Sequence, residues 1–167
     1  EKHFNIKATI RKAEADDMAQ VLRLIKELAI YEKEPDAVEV TVDDLIAYGT
    51  GSNADFTCFV AEREGEILGI ALVYYRFSTW KGRTVHLEDL IVREQYRGEG
   101  LGMALYTEVI KYTYELGLKR VEWVVLDWNT SAVDFYEASG ANVMKEWNTV
   151  QMDTEAMKKF LSKKGLA

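Results

Sequence analysis

Three apolar runs follow one another between residues 56 and 92, with only short polar or glycine-containing segments between them. The runs are Phe56–Glu62, Ile67–Phe77 and Thr84–Val92. The connections are Arg63-Glu64-Gly65-Glu66 and a segment that contains Trp80-Lys81-Gly82. Connections this short join antiparallel neighbours, because a parallel crossover needs a dozen or more residues. The stretch therefore predicts a three-stranded antiparallel meander, around which the rest of the chain must fold.

The segment before the meander predicts one strand and two helices. Alternation of apolar and polar residues over Ile6–Lys12 is typical of a half-exposed strand. Helical spacing begins at Met18, after an N-cap in Ala15-Asp16-Asp17, and should end near Tyr31. A second, short helix is predicted after a cap at Thr41.

Beyond the meander the apolar spacing becomes helical again. A long helix is predicted from Leu101, ending at Gly117, and the apolar run Val121–Leu126 predicts a strand covered on both faces. A helix over Thr130–Ser139, a last strand around Asn142–Met152 and a C-terminal helix follow. At 167 residues the chain fits one domain, spanning 1–167, of mixed α/β (α+β) class with a central, mostly antiparallel sheet.

Charge and hydropathy exclude several partners. With 28 acidic and 21 basic residues the formal charge is −7, which argues against nucleic acid, since phosphate binding needs a basic face. An acidic surface would attract a cationic substrate, although solubility alone explains it equally well. The longest apolar run, Ile67–Tyr75, is less than half the length of a membrane span, so we expect no membrane association.

The cysteine and the histidines offer little redox or metal chemistry. Cys58 stands between apolar neighbours and is predicted to be a small buried hydrophobe, which leaves no disulfide framework. Two separate histidines and one cysteine make no ligand cluster, so no metal is expected. Without a secretory leader or a cystine, we expect a cytoplasmic protein.

A glycine-rich segment stands between the end of the meander and the long helix. Arg97-Gly98-Glu99-Gly100-Leu101-Gly102 allows a tight turn that brings backbone N–H groups, a helix N-terminus and a cation towards a ligand. The order strand, glycine loop, helix predicts a pyrophosphate-binding loop; an exposed glycine turn is the alternative. No Gly-Lys-Ser/Thr of a P-loop is present, and the preceding strand does not open a βαβ unit.

The same segment carries a family resemblance. Val92–Gly102 resembles the acyl-CoA-binding motif of the GNAT N-acetyltransferases, Arg/Gln-x-x-Gly-x-Gly/Ala, filled here by Arg97, Gly100 and Gly102. Three further segments resemble the diamine (spermidine/spermine) acetyltransferase subfamily: His86–Asp89, Val125–Asn129 and Phe135–Ala141. Ser78–Arg83 is most similar to the thialysine-acetylating branch of that subfamily. The resemblance runs from about Ile6 to the final predicted strand.

The resemblance implies a GNAT fold with helices on both faces of the sheet, acetyl-CoA as co-substrate, a small amine as acceptor and a homodimer. Backbone N–H groups of the splayed strand would hold the acetyl and pantetheine end, and the glycine loop the pyrophosphate. Asn129 matches a cofactor-side asparagine, with a simple helix N-cap as the equal alternative. The implied cofactor-binding residues are Leu90, Ile91, Val92, Arg97, Gly98, Glu99, Gly100, Leu101, Gly102, Met103, Asn129, Ser131 and Tyr136.

Two residues match the catalytic pair of the family. Tyr136 matches the general acid that protonates the departing thiolate, a role that a phenol with a pKa near 10 can fill; core packing is the alternative. Glu88 matches the carboxylate that accepts the amine proton. Strict alternation would place Glu88 and Asp89 on opposite faces of the strand, and an inward acid needs a partner such as a cationic amine. His86 is another candidate base, but it would face the same side of the strand as Glu88 only if no bulge lies between them. The primary expectation is a histidine that is hydrogen-bonded within the protein or exposed to solvent.

The substrate end is marked by Tyr31-Glu32, Trp80, Glu88 and Asp89, which resemble residues that line the amine groove. A solvated helix end and a dimer contact are the alternatives for Tyr31-Glu32 and Trp80. Polyamine-selective relatives carry an acid just before the tryptophan, where this chain has Ser78-Thr79. We therefore expect an amino acid with a side-chain amine, such as thialysine or lysine, ahead of a polyamine. A protein or peptide amine, and a silent acyl-CoA-binding module, remain further alternatives; the presence of both Tyr136 and Glu88 argues against the silent module.

Overall fold

The computed structural model describes residues 6–167 and contains a five-stranded sheet in the order β1-β2-β3-β4-β5. The first four strands pair antiparallel and the last pair, β4–β5, is parallel. The strands are β1 (Thr9–Lys12), β2 (Thr57–Arg63), β3 (Glu66–Ser78), β4 (Gly82–Val92) and β5 (Val121–Glu122). The predicted meander and the mixed, mostly antiparallel sheet are confirmed.

Five α-helices accompany the sheet in the described part of the chain, at the predicted positions. They are α1 (Met18–Tyr31), α2 (Val42–Gly49), α3 (Leu101–Glu115), α4 (Thr130–Ala138) and α5 (Thr154–Lys163). The predicted cap of α2 is a full capping box, in which the Thr41 hydroxyl accepts from the Asp44 N–H and the Asp44 carboxylate from the Thr41 N–H. Between residues 6 and 167, no helix combines the length and the apolar character that crossing a bilayer requires.

The turns of the meander follow from their residues. Glu64 and Gly65 both have positive φ (51° and 81°) between the paired residues Arg63 and Glu66, which is the geometry of a two-residue type I′ hairpin. At the β3–β4 turn, the Ser78 hydroxyl oxygen accepts hydrogen bonds from the backbone N–H groups of Trp80 and Lys81, at 3.2 and 3.1 Å. Ser78 therefore holds the turn that carries Trp80.

The sheet buries an apolar cluster on each face. Alternate residues of β2 enter different clusters, since Cys58 and Val60 pack with α1 and α2 whereas Phe59 and Ala61 pack with α3. We call these two sides the α1 face and the α3 face, and they confirm helices on both faces. Cys58 is 3% exposed, as predicted for a buried hydrophobe, and its burial raises the pKa of its thiol.

A β-bulge in β4 corrects one prediction. Val73 pairs with Leu87 and Leu72 with Asp89, so Glu88 is an extra residue on its strand. Leu87 and Leu90 consequently both pack into the cluster of the α3 face, although they are three residues apart. The prediction that Glu88 and Asp89 point to opposite faces is wrong: Asp89 lies two residues before Ile91, on the α1 face. Glu88 contacts residues of that same face.

The parallel pairing of β4 with β5 is short. It joins only Val85 with Val121 and His86 with Glu122 in the described ladder, so β4 continues alone from Leu87 to Val92 on that side. The strand predicted over Val121–Leu126 is correspondingly reduced to two residues. This early end of the ladder agrees with the splayed strand that the family resemblance implies.

The chain divides into two compact units, Glu1–Val124 and Val125–Ala167. The first contains the sheet and α1 to α3, and the second contains α4 and α5. The last strand predicted around Asn142–Met152 is wrong, because no residue of this segment joins a ladder in the described chain. Its polar residues and a turn at Lys145-Glu146 interrupt the alternation that a strand requires, and Val150 is 90% exposed.

Candidate active site

Three carboxylates gather on the α1 face of the sheet: Glu88 and Asp89 at the bulge, and Glu32 at the end of α1. Glu88 is exposed, and its Oε2 accepts a hydrogen bond from the Tyr74 hydroxyl at 3.2 Å and lies 3.3 Å from His86 Nε2. The His86 hydrogen bond is the main cause that holds the pKa of Glu88 below its ordinary value, against the opposing effect of desolvation. Glu88 is therefore a fixed anion at neutral pH.

Asp89 behaves differently from its neighbour. Desolvation, followed by the negative charges of Glu88 and Glu32, raises the pKa of Asp89 to about 7. Desolvation, with a smaller contribution from Glu88, also raises the pKa of Glu32. Three acids that each disfavour the ionisation of a neighbour form a site that a cationic group would stabilise.

His86 is buried and both of its ring nitrogens have a polar neighbour. Nε2 faces Glu88, and Nδ1 lies 3.4 Å from Nη1 of Arg76 on β3. Arg76 is itself ion-paired with Glu122 on β5. The histidine is thus satisfied, as expected, but it contacts Glu88 in spite of the bulge, because the extra residue leaves the Glu88 side chain on the α1 face.

The glycine loop forms a turn into α3. Gly98 and Gly100 have φ values of 87° and 85°, a left-handed conformation that glycine adopts without strain. Gly100 is the N-cap of α3 and provides no side-chain cap, and the first bond of the helix runs from the Ala104 N–H to the Gly100 carbonyl at 3.0 Å. The backbone N–H groups of Leu101, Gly102 and Met103 precede that bond and are the donors that a helix N-terminus offers to an anion.

Arg97 ties this loop to two other elements. Its Nε donates to the Val92 carbonyl at 3.1 Å, at the end of β4, and its guanidinium lies 5.8 Å from the centre of the Tyr31 ring. Glu99 is ion-paired with Arg63 at 3.0 Å. Backbone donors, a cation and glycine conformations together fit the pyrophosphate of acetyl-CoA.

The remaining predicted site residues, which include Tyr136 and Asn129, belong to the second unit. Tyr136 is half-buried on α4, with its ring centre 5.6 Å from that of Phe135. Asn129 occupies the N-cap position of α4 but makes no side-chain capping bond; its Oδ1 accepts from the Ser131 hydroxyl at 3.4 Å. The alternative that Asn129 is a helix N-cap is therefore correct for its position, but its side chain does not make the capping hydrogen bond.

The structure brings some of the predicted substrate residues together. Glu32, Glu88 and Asp89 interact through their charges, and Tyr31 lies at the Arg97 guanidinium. Trp80 is 84% exposed at the β3–β4 turn. Sequence reasoning missed Tyr74, which pairs directly with His86 in the structure. Its only sequence signal was its position two residues after the apolar Leu72, on the same face of the strand.

No group of three or more histidine, cysteine, aspartate or glutamate side chains within residues 6–167 is arranged to hold a metal ion.

Comparisons with known proteins identify the class. The family model of the acetyltransferase (GNAT) family matches residues 18–141, and the chain belongs to this family of acetyltransferases. A thialysine N-epsilon-acetyltransferase of Bos taurus is 38% identical over 165 residues, which cover 92% of this chain and 97% of the relative. A human spermidine/spermine N(1)-acetyltransferase-like protein 1 is 34% identical over 139 residues, 79% of this chain and 20% of the relative.

Solved structures support the fold. An integron cassette protein from the mobile metagenome of V. cholerae superposes with a TM-score of 0.75 at 20% identity, covering 93% of this chain and 98% of its own. At that identity the similarity concerns the fold alone, and it confirms the GNAT architecture that the sequence predicts.

Proposed function

We propose that this N-acetyltransferase transfers the acetyl group of acetyl-CoA to a primary amine of a small cationic substrate, with a thialysine- or lysine-like amino acid as the favoured acceptor. The observation that carries the proposal is the group of three carboxylates, Glu32, Glu88 and Asp89, on the α1 face. The glycine loop reaches the same face, because Arg97 lies against Tyr31, the neighbour of Glu32. A group of carboxylates and an anion-binding loop on the same face suit an amine acceptor and a phosphate-bearing donor.

The proposal extends to one N-acetyltransferase domain over residues 1–167. The family match from residue 18 to residue 141 includes residues of both compact units, and the bovine relative aligns with 92% of the chain. A cytoplasmic homodimer is part of the same proposal, and the exposed Trp80 would serve either as a dimer contact or as a wall of the amine groove.

Acetyl-CoA supplies the thioester whose acyl group is transferred. We assign its pyrophosphate to the N–H groups of residues 98–103 and the charge of Arg97, and its acetyl and pantetheine end to the backbone of Leu90, Ile91 and Val92. The support is the helix N-terminus of α3 and the early end of the β4–β5 ladder. Asn129 and Ser131 are assigned to the same ligand, as the family resemblance implies, and the Ser131 hydroxyl donates to Asn129 Oδ1 at 3.4 Å.

In the proposed mechanism the amine nitrogen attacks the thioester carbonyl, the amide C–N bond forms and the C–S bond breaks. Two protons leave the nitrogen, the second of them to solvent, from which Tyr136 is reprotonated. Glu88, ionised and held by two donors, accepts the proton of the ammonium group directly or through water, so that a neutral amine attacks. Asp89 and Glu32 stabilise the cationic substrate beside it. Tyr136 donates its phenolic proton to the departing thiolate.

Ser78 supports an amino acid as acceptor. Its hydroxyl holds the β3–β4 turn through the N–H groups of Trp80 and Lys81, so this position carries no charge for a distant second ammonium group. The bovine relative, which is named a thialysine N-epsilon-acetyltransferase, aligns with this chain over 97% of its length. A polyamine is the second candidate, favoured by the name of the human relative.

The test is the release of coenzyme A from acetyl-CoA with thialysine, lysine, ornithine, spermidine, putrescine and a lysine peptide. We expect kcat/KM to be highest for thialysine or lysine. A highest kcat/KM for spermidine would instead indicate a polyamine N-acetyltransferase, and a highest kcat/KM for the peptide would indicate a protein acetyltransferase. Tight acetyl-CoA binding without turnover on any amine would refute the proposed reaction and leave an acyl-CoA-binding module.

A further inference from the structure

Two donors converge on one oxygen of the carboxylate that the mechanism needs. Glu88 is exposed and sits at a bulge, where the ladder does not fix the direction of its side chain. Its Oε2 is instead met by the Tyr74 hydroxyl at 3.2 Å and by His86 Nε2 at 3.3 Å. Tyr74 and His86 are directly opposite each other in the β3–β4 ladder, with ring centres 5.0 Å apart, so the two donors are fixed relative to each other.

The opposite nitrogen of the imidazole determines which tautomer is present. Nδ1 lies 3.4 Å from Arg76 Nη1, and a guanidinium can only donate hydrogen bonds. Nδ1 must therefore be the acceptor, which places the ring proton on Nε2, where it is donated to Glu88. Arg76 is held in place by its ion pair with Glu122 of β5.

The charges around His86 agree with this direction of donation. Tyr74 and Arg76 face it from β3, Glu88 from its own strand and Glu122 from β5, and Asp89 is near enough for its charge to interact with that of the imidazole. The hydroxyl of Tyr74 stays protonated and able to donate, because burial and the neighbouring Glu88 raise its pKa. Hydrogen bonds are therefore donated from Arg76 to His86 and from His86 to Glu88, and we call this series the relay.

We propose that His86 is a positioning residue, whose Nε2–H group holds the Glu88 carboxylate in place to accept the amine proton, and that Arg76 selects the tautomer that does so. The role of Glu88 in this inference rests on the proposed function. The direction of the Arg76–His86–Glu88 hydrogen bonds does not, so the two can be tested separately.

The kinetic test compares His86→Phe with His86→Gln, using Glu88→Gln as reference. Phenylalanine keeps a ring against Tyr74 but loses the donor, whereas a glutamine amide can still donate to Glu88. We expect His86→Phe to lower kcat/KM about 10-fold near neutral pH and to move its acid limb to higher pH, because Glu88 loses a stabilising donor. His86→Gln should keep the acid limb of the wild type, and Glu88→Gln should abolish it.

Equal losses in His86→Phe and His86→Gln, with the acid limb unmoved in both, would show that the ring only packs in the core and would overturn the proposal. Urea unfolding of both variants measures that structural contribution separately.

Nitrogen-15 NMR of the histidine rings tests the hydrogen-bond direction without any turnover. The chain has two histidines, so the signals of His86 are those lost in His86→Gln. We expect a neutral ring protonated on Nε2 at pH 7.5, and a mixture of tautomers in Arg76→Met. A ring protonated on Nδ1 would overturn the proposal even in an active enzyme. Conversely, an enzyme that acetylates no amine would refute the proposed function while the NMR result still decides the direction of the relay.

Discussion

At the scale of single residues, the site depends on neighbouring carboxylates with different environments. Glu88 accepts two hydrogen bonds and its pKa is lowered, whereas the partly buried Asp89 has its pKa raised to about 7. Adjacent positions in one strand thus provide a permanent anion and a group that titrates near neutral pH.

The raised pKa of Asp89 has a consequence for stability. The folded chain binds this proton more tightly than the unfolded chain, whose pKa is near 3.8, so stability is lost as pH rises towards 7 and the loss is complete above it. Asp89→Asn removes the ionised form. We expect the variant to gain about 1 to 2 kcal/mol relative to the wild type between pH 5 and pH 8, after allowance for partial exposure.

Urea unfolding at the two pH values measures this change, with the exposed Asp36→Asn as matched control. The same stability difference at pH 5 and pH 8 would show that the carboxyl of Asp89 is solvated in the folded chain.

A substitution of Tyr136, in the second unit, tests whether this residue is the general acid. Tyr136→Phe keeps the ring that packs near Phe135 and removes only the phenolic proton. We expect kcat to fall by about 100-fold or more, while the Kd of acetyl-CoA stays close to that of the wild type. Tyr114→Phe, which changes an 82% exposed tyrosine of α3, is the control and should leave kcat unchanged. Undiminished turnover in Tyr136→Phe would assign the proton to water or to another group.

At the scale of elements, the order strand, glycine loop and helix was readable from the sequence because each part has a local signal. Glycines, apolar periodicity and the Thr41 cap determine the local backbone structure from residues only a few positions apart in the sequence. The bulge at Glu88 was not readable, because it arises from the register between β3 and β4, which depends on residues some fifteen positions apart. The two-residue length of β5 and the missing strand around residue 147 have the same origin, since a ladder exists only where a partner pairs.

The glycine loop gives a prediction at this scale. Gly98 and Gly51 have nearly equal φ values, 87° and 88°, and a Cβ at either would meet no atom within 4 Å. Gly98→Ala and Gly51→Ala should therefore cost similar stability, about 1 kcal/mol each. Only Gly98→Ala should weaken acetyl-CoA binding, by about 10-fold, because its loop conformation presents the N–H donors.

Isothermal titration calorimetry with acetyl-CoA measures both variants. Equal affinities in Gly98→Ala and Gly51→Ala would remove the loop from the proposed pyrophosphate site.

At the scale of the whole molecule, the fold class was accessible from the sequence and the acceptor was not. The meander, the flanking helices and the motif around Arg97 identified the family, to which the chain belongs. The acceptor depends on the shape and charge of a groove, and one fold serves many amines. Ser78 holds the β3–β4 turn and, like Thr79, carries no charge that would bind a second ammonium group, but only the measured turnover of different amines decides the acceptor.

The most direct test of the central claim follows a carbon-13-labelled acetyl group from acetyl-CoA in the presence of thialysine or lysine and spermidine together. We predict that the label appears as an amide on the side-chain nitrogen of the amino acid, in amounts well above acetylated spermidine, and that Glu88→Gln forms much less of it. Label found only as free acetate, or left on coenzyme A with every amine supplied, would contradict the account.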